Sequence, residues 1–157
     1  SYRQIRRLFV LLKKVIILIM LSLFSSKVFA NSEQCLAKAM YYEANGGKDS
    51  ELLNVGHVVL NRVKNNKFPN SVCSVIADKK HTIQFPWYYQ SKRGLDGKSY
   101  ENIKVLAKKL YSEFVNDTRR DTTNGSLFFH SKRINPKWRY QRVSVNDSLH
   151  SFYKLGR

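Results

Sequence analysis

The chain is poor in acid, in turn formers and in cysteine. Its 157 residues hold 11 Asp and Glu against 28 Lys and Arg, a formal net charge of +17. With 7 Gly and 3 Pro, collagen-like and low-complexity classes are excluded. No self-similar period of about 20–50 residues runs through the chain, which excludes a solenoid. The four histidines, His57, His81, His130 and His150, fall in no H-E-x-x-H or paired-cysteine spacing, so no metal site is expected. Neither a G-x-S-x-G elbow nor a Walker loop occurs, and no cofactor is indicated. What is present, 43% hydrophobic and 25% charged residues, suits one folded domain plus a tail.

The tail comes first. Residues 1–30 carry Arg3, Arg6, Arg7, Lys13, Lys14 and Lys27 and no acid, and an apolar run follows from Val15 to Ser26. The segment ends in Val28-Phe29-Ala30, which suits cleavage after Ala30. A basic start, a short apolar stretch and small residues at the cut form an export signal. The alternative is a membrane anchor through residues 8–26. The run after Lys14 is 12 residues, and about 20 are needed to span a bilayer, which favours the signal. The domain proper is then 31–157, secreted, periplasmic or on the cell envelope, and membrane-anchored if the segment stays.

Residues 31–157 keep 22 Lys and Arg against 11 Asp and Glu, a net of +11. Such a surface seeks an anionic partner. Nucleic acid, acidic lipid and anionic wall polymers all satisfy that, and an exported chain meets walls and membranes first. Cys35 and Cys73 are an even pair, which in an exported chain reads as a disulfide closing about 38 residues. Two free buried thiols are the alternative.

Along 31–157, helices precede strands. Asn31 to Gln34 has the form of a capping box, and the helix it starts should stop at Asn45-Gly46-Gly47. A second helix is predicted from Asp49, as its cap, to Val63, burying Leu52, Val55, Val59 and Val63. A short turn of helix over 71–77 brings Cys73 back to Cys35. Residues 78–98 read as a long ordered loop with one short extended piece, and 99–116 as a third helix. Residues 127–130 and 139–145 read as strands, with Phe152-Tyr153 as a third, edge strand. Helices followed by a few terminal strands predict an α+β domain.

Glu43 is the first candidate for chemistry. It falls in the last turn of the first helix, where the helix carries partial negative charge, among Tyr41 and Tyr42. Both settings disfavour a carboxylate and raise its pKa, and a carboxyl protonated near neutral pH is a general acid. The alternative is a surface Glu paired with Lys or Arg. Trp87, Tyr88, Tyr89, Trp138 and Tyr140 lie in loop-like or strand-like segments, where flat rings with polar rims suit sugars; core packing is the alternative.

These residues also carry a resemblance. Residues 35–44 (CLAKAMYYEA), 55–63 (VGHVVLNRV), 68–75 (FPNSVCSV), 84–87 (QFPW), 125–130 (GSLFFH), 136–138 (PKW) and 150–153 (HSFY) resemble, in order, the cell wall hydrolases of the spore cortex-lytic (SleB-type) family. The resemblance spans about 35–153. It departs at Asn45-Gly46-Gly47, where the family usually has Arg-Gly-Glu, and at Pro86, where it has Ser. It implies a lysozyme-like or lytic-transglycosylase-like α+β domain, a helical lobe with a small C-terminal β part, acting on the glycan strands of peptidoglycan. It implies that Glu43 is the catalytic acid, that Cys35 and Cys73 pair, and that Gln84, Trp87, His130 and Tyr153 line the sugar site.

Glycoside hydrolysis needs two carboxyl groups roughly 5–9.5 Å apart. Asp49 and Glu51 are the near candidates for the second. With a single carboxyl, Glu43 serves as acid and base: it protonates the glycosidic oxygen and then deprotonates the muramic acid sugar's own 6-hydroxyl, giving a 1,6-anhydro product, the lytic transglycosylase route known in the resembled family. That route is favoured here over hydrolysis. A non-enzymatic cationic wall-binding protein is the competing class. Peptidoglycan and the anionic envelope are the expected partners, and nucleic acid is not expected.

Overall fold

The computed structural model describes residues 2–80, 84–90, 94–95, 97–146 and 148–156, the side chain of Arg3 excepted. The chain forms two compact units, Ser1–Asn31 and Ser32–Arg157. The boundary falls inside α1 (Tyr2–Ala44). No Gly or Pro interrupts residues 2–44. The expected helix start at Asn31–Gln34 is therefore an interior stretch of α1: with residues 2–30 present, helical carbonyls lie one turn back and no cap is needed. The apolar side chains of the first unit face outward along its length, with Leu18 at 65% and Phe24 at 71% exposure. By length and composition the helix from Gln4 onward can cross a membrane.

In the second unit, α1 stops where expected. Gly46 adopts φ +89°, and the Asn45 and Gly47 N–H groups bond the carbonyls of Tyr41 and Ala44. Next comes α2 (Asp49–Lys64), and Lys48, not Asp49, is the residue that precedes its first turn. It is buried nearly all round, with Leu52, Val55, Val58, Val59 and Leu60 in the core. Ser71 caps α3 (Val72–Ile76) through the Ser74 N–H. That short helix carries Cys73 to Cys35, and the two form a disulfide with Cα atoms 5.3 Å apart.

The segment read as a loop with an extended piece instead holds the short helix α4 (Trp87–Gln90). Residues 81–83, and with them His81, lie outside the described residues. Pro86 starts the turn, because proline suits a first helical position and its missing N–H is not needed there. Then α5 (Gly97–Val115) buries Ile103, Ala107 and Leu110 against α2. At Gly56 the α2 backbone has Leu110 and Met40 so near that a Cβ would lie 2.6 Å from Leu110 Cδ2.

The chain ends in an antiparallel sheet of β1 (Phe128–Ser131), β2 (Gln141–Val143) and β3 (His150–Lys154), in the order β1-β3-β2. The strand expected at an edge, β3, is central. Phe152 pairs with Phe129 on one side and Val143 on the other, and burying its ring from both sides needs the middle place. Phe129, Phe152 and Phe85 join the helical core, while Phe68, Leu127 and Phe128 form a smaller cluster with Trp138, Tyr140 and Tyr153. This is the α+β arrangement the pattern predicts.

Candidate active site

A cavity of about 650 Å³ opens between the end of α1, the segment before α4, and strands β1 and β3. Glu43 stands in its wall with Gln84, His130, Trp138 and His150. Among the described residues that line it, Glu43 is the one carboxylate.

Glu43 is half-buried and accepts a 2.7 Å hydrogen bond from Trp87 Nε1. Its pKa is lifted from the ordinary 4.5 to about 7 by burial, against the Trp87 bond and the charges of His150 and Arg62, which pull it down. The bonded partner is thus an indole and not a surface Lys or Arg. Trp87 is fixed in turn by stacking on Tyr42, ring centres 4.5 Å apart.

The other expected site residues divide. Gln84 lines the cavity, but its amide is also a bracket: Oε1 accepts from Arg62 Nη2 at 2.7 Å and Nε2 donates to the Phe129 carbonyl at 2.9 Å. His130 lines it as well. The Ser131 carbonyl can only accept, so His130 Nδ1 carries the hydrogen and Nε2 accepts from the Tyr153 hydroxyl, each at 2.8 Å. Tyr153 therefore stands behind His130, ring on ring at 5.2 Å, and is not itself in the lining. Trp138 both lines the cavity and packs edge-on to Phe128. Tyr88 and Tyr89 are exposed and outside the lining. Asp49 is exposed and outside it too.

Three more residues matter: Arg62, which the sequence reading did not single out, Glu51, which it offered as a second carboxylate but which does not line the cavity, and His150, to which it gave no role. Arg62 is 2% exposed, donates Nε–H to the Leu127 carbonyl at 2.6 Å, and lies over the rings of Phe68, Phe85 and Phe128. Burial pulls its pKa down to about 10, against the attraction of Asp78, Tyr140 and Glu43. Glu51, also 2% exposed, takes hydrogen bonds from Ser148 Oγ at 2.5 Å, the Leu149 N–H at 3.1 Å and His150 Nδ1. Burial alone would raise its pKa, yet the bonds from His150 and Ser148, the charge of His150 and the Leu149 N–H hold it below the ordinary value. His150 brings that pair to the cavity wall. A signal existed: Glu51, Val55, Val58 and Arg62 recur at helical spacing, which puts two charged residues on the buried face of α2.

On the far side of α2, buried His57 accepts from Arg119 Nη1 at 3.0 Å, and its pKa falls to about 4 through burial.

The profile of the cell wall hydrolase family matches residues 46–153. The chain belongs to the cell wall hydrolase family. It is a peptidoglycan-degrading enzyme, and its wall substrate places its action outside the cytoplasm; the simple binding-protein alternative is set aside. The match begins at Gly46, so what bears on Glu43 is the cavity and not the profile. Two solved structures share the fold. The catalytic domain of the germination-specific lytic transglycosylase SleB from Bacillus anthracis is 25% identical, with 79% of this chain and 94% of that one covered and a TM-score of 0.55. The catalytic domain of the Bacillus cereus SleB protein is 21% identical, with 80% and 91% covered and a TM-score of 0.56. No curated protein sequence matches the chain.

Proposed function

We propose that this cell wall hydrolase cleaves glycan strands between N-acetylmuramic acid and N-acetylglucosamine as a lytic transglycosylase, with Glu43 as the acid. The observation that carries the reading is the half-buried carboxyl of Glu43, the one carboxyl in the cavity lining among the described residues. Hydrolysis by two carboxylates needs a second one facing the sugar. Asp49 faces solvent, and Glu51 is buried with its oxygens occupied by three donors. A single acid suffices when the sugar's own 6-hydroxyl closes on C1. The Bacillus anthracis relative is a lytic transglycosylase, in agreement with this route.

The protonated Glu43 gives its hydrogen to the bridging oxygen, and the Trp87 N–H holds the carboxylate left behind. Gln84, His130 and Trp138 shape the sugar site, Tyr153 fixes the ring of His130, and Trp87 fixes Glu43. Glu43→Gln should lower cleavage of purified peptidoglycan about 10³-fold or more with the fold intact. The wild-type products should be 1,6-anhydro sugars by mass spectrometry. Reducing ends would mark hydrolysis, and an active Glu43→Gln would remove Glu43 from the chemistry.

We read residues 1–30 as an export signal ahead of a catalytic domain over 31–157. One observation favours retention as an anchor: α1 continues unbroken through Ala30, and the hydroxyls of Ser22 and Ser26 bond back to helix carbonyls, so those two need no partner from lipid. N-terminal sequencing of the exported protein separates the two, because a start at Asn31 means cleavage.

A further inference from the structure

Lys132 and His150 line the cavity that holds Glu43, and they also line a second cavity, of about 340 Å³. The two cavities therefore adjoin along these residues. The second lies at one end of the sheet, where β1 has passed into Lys132 and β2 runs out beyond Val143. The Lys132 N–H bonds the Leu149 carbonyl, which ties that end of β1 to the start of β3. Arg142 enters from β2. Its Nη2–H donates to Ser151 Oγ at 3.3 Å, one bond from a group with five donors. Val143 and Val145 give the cavity an apolar side.

The charge there is one-sided. Lys132 and Arg142 line the second cavity, and Lys132 and Arg133 the first. Against these three cations, the two linings hold one carboxylate among the described residues, that of Glu43. None of the three is in an ion pair within the described residues, whereas Lys64 and Lys104 each have an acid beside them. Cations gathered round a hollow with no acid of the chain to balance them fit an anion that arrives from outside.

The ring hydroxyls and acetamido groups of a glycan strand are neutral. Its acid groups lie on one branch, the lactyl ether of muramic acid. That branch ends in its own carboxylate, or it carries a short peptide with carboxylates of its own. A muramic sugar beside Glu43 has to send the branch out of the first cavity, and the second cavity is next to it. We propose that the second cavity is a branch site, in which Lys132 and Arg142 bind a carboxylate on the lactyl branch of muramic acid. The proposal rests on the first cavity being the glycan site. Arg142 supplies a forked donor matched to two carboxylate oxygens, and Lys132 a mobile point charge. Val143 and Val145 take a small apolar side chain of the peptide. The enzyme then selects strands by what their branch carries.

The test uses soluble glycan strands, so that attraction to an insoluble wall does not enter. They are compared with peptides in place, with peptides removed by an amidase so that the lactyl carboxylate is free, and with peptides in place but every carboxyl turned into its methylamide. The double variant Lys132→Gln, Arg142→Gln should raise KM about tenfold on charged strands with kcat within about twofold. On methylamide strands it should match wild type within about twofold. Lys108→Gln with Lys109→Gln, at two exposed cations of α5, removes the same charge and should leave KM unchanged. A rise confined to peptide-bearing strands assigns the peptide's carboxylates, and a rise confined to stripped strands assigns the lactyl carboxylate. A rise on both assigns both, and each of these supports the site. Equal losses on charged and methylamide strands, an equal loss in the α5 variant, or no loss overturns it. Should the double variant fail to fold, wild type decides: a KM about tenfold higher on methylamide strands supports the site, and an unchanged KM overturns it. Glu43→Gln inactive on all three strands keeps the glycan reading whatever the branch does, and an active Glu43→Gln overturns that reading instead.

Discussion

A glutamic acid in water, with a pKa near 4.5, is almost wholly ionised at neutral pH and has no proton to give. Burial lifts Glu43 to about 7, so near neutrality roughly half of the molecules hold the acid form. The lift has a cost in stability, because the folded protein must keep a proton that the unfolded chain releases. Below pH 4.5 both states hold it and the cost is nil. Between 4.5 and 7 the unfolded chain ionises first, and the advantage of the protonated fold is lost as pH rises, by about 3 kcal/mol in all. Glu43→Gln keeps the acceptor for Trp87 and has no proton to lose. Thermal unfolding should therefore find the variant equal to wild type near pH 4 and more stable by up to about 3 kcal/mol at pH 8. Equal melting at both values would mean that Glu43 is not desolvated. The residue itself was legible, since a helix end beside glycines and tyrosines is an odd place for an acid. The pairing of Glu51 with His150 was not, because 99 positions separate them in the chain.

At the scale of elements, the tertiary contacts that place Glu43 are few. The disulfide ties α1 to α3 across 38 residues, and α2 packs on α1 and α5 at Gly56. In the chain-entropy view a closed loop of that size contributes about 3–4 kcal/mol. Replacing Cys35 and Cys73 by Ser should lower the unfolding free energy in urea by about that amount, with cleavage in the cold largely kept. A drop of less than about 1 kcal/mol would mean that packing alone holds α3. The helices α2, α3 and α5 follow from apolar spacing, caps and glycine stops, all local signals. The misread elements depended on distant partners. Central β3 owes its place to Phe129 and Val143, and α4 carries Trp87 onto the ring of Tyr42, far back in the chain.

For the whole molecule, charge is the plainest feature. The +11 of residues 31–157 suits an enzyme that stays on an anionic wall, and Lys132 and Arg133 bring part of it to the cavity itself. Screening shortens such attraction from about 10 Å at 0.1 M salt to about 3 Å at 1 M. Retention on purified walls should thus fall about tenfold or more over that range. Salt-independent retention would mean that sugar contacts alone hold the enzyme.

The order of helices and strands, the excess of cations, the apolar N-terminal stretch and one misplaced acid are properties of neighbours along the chain, and local chemistry alone determines them. Tertiary structure decided which charges are buried. Arg62 and Glu51 sit on the core face of α2 because Leu127, Gln84, Ser148 and His150 arrive from far along the chain to satisfy them. A buried charge is tolerable only with partners, and partners 22 to 99 residues away are set by the fold and not by the pattern of any one segment.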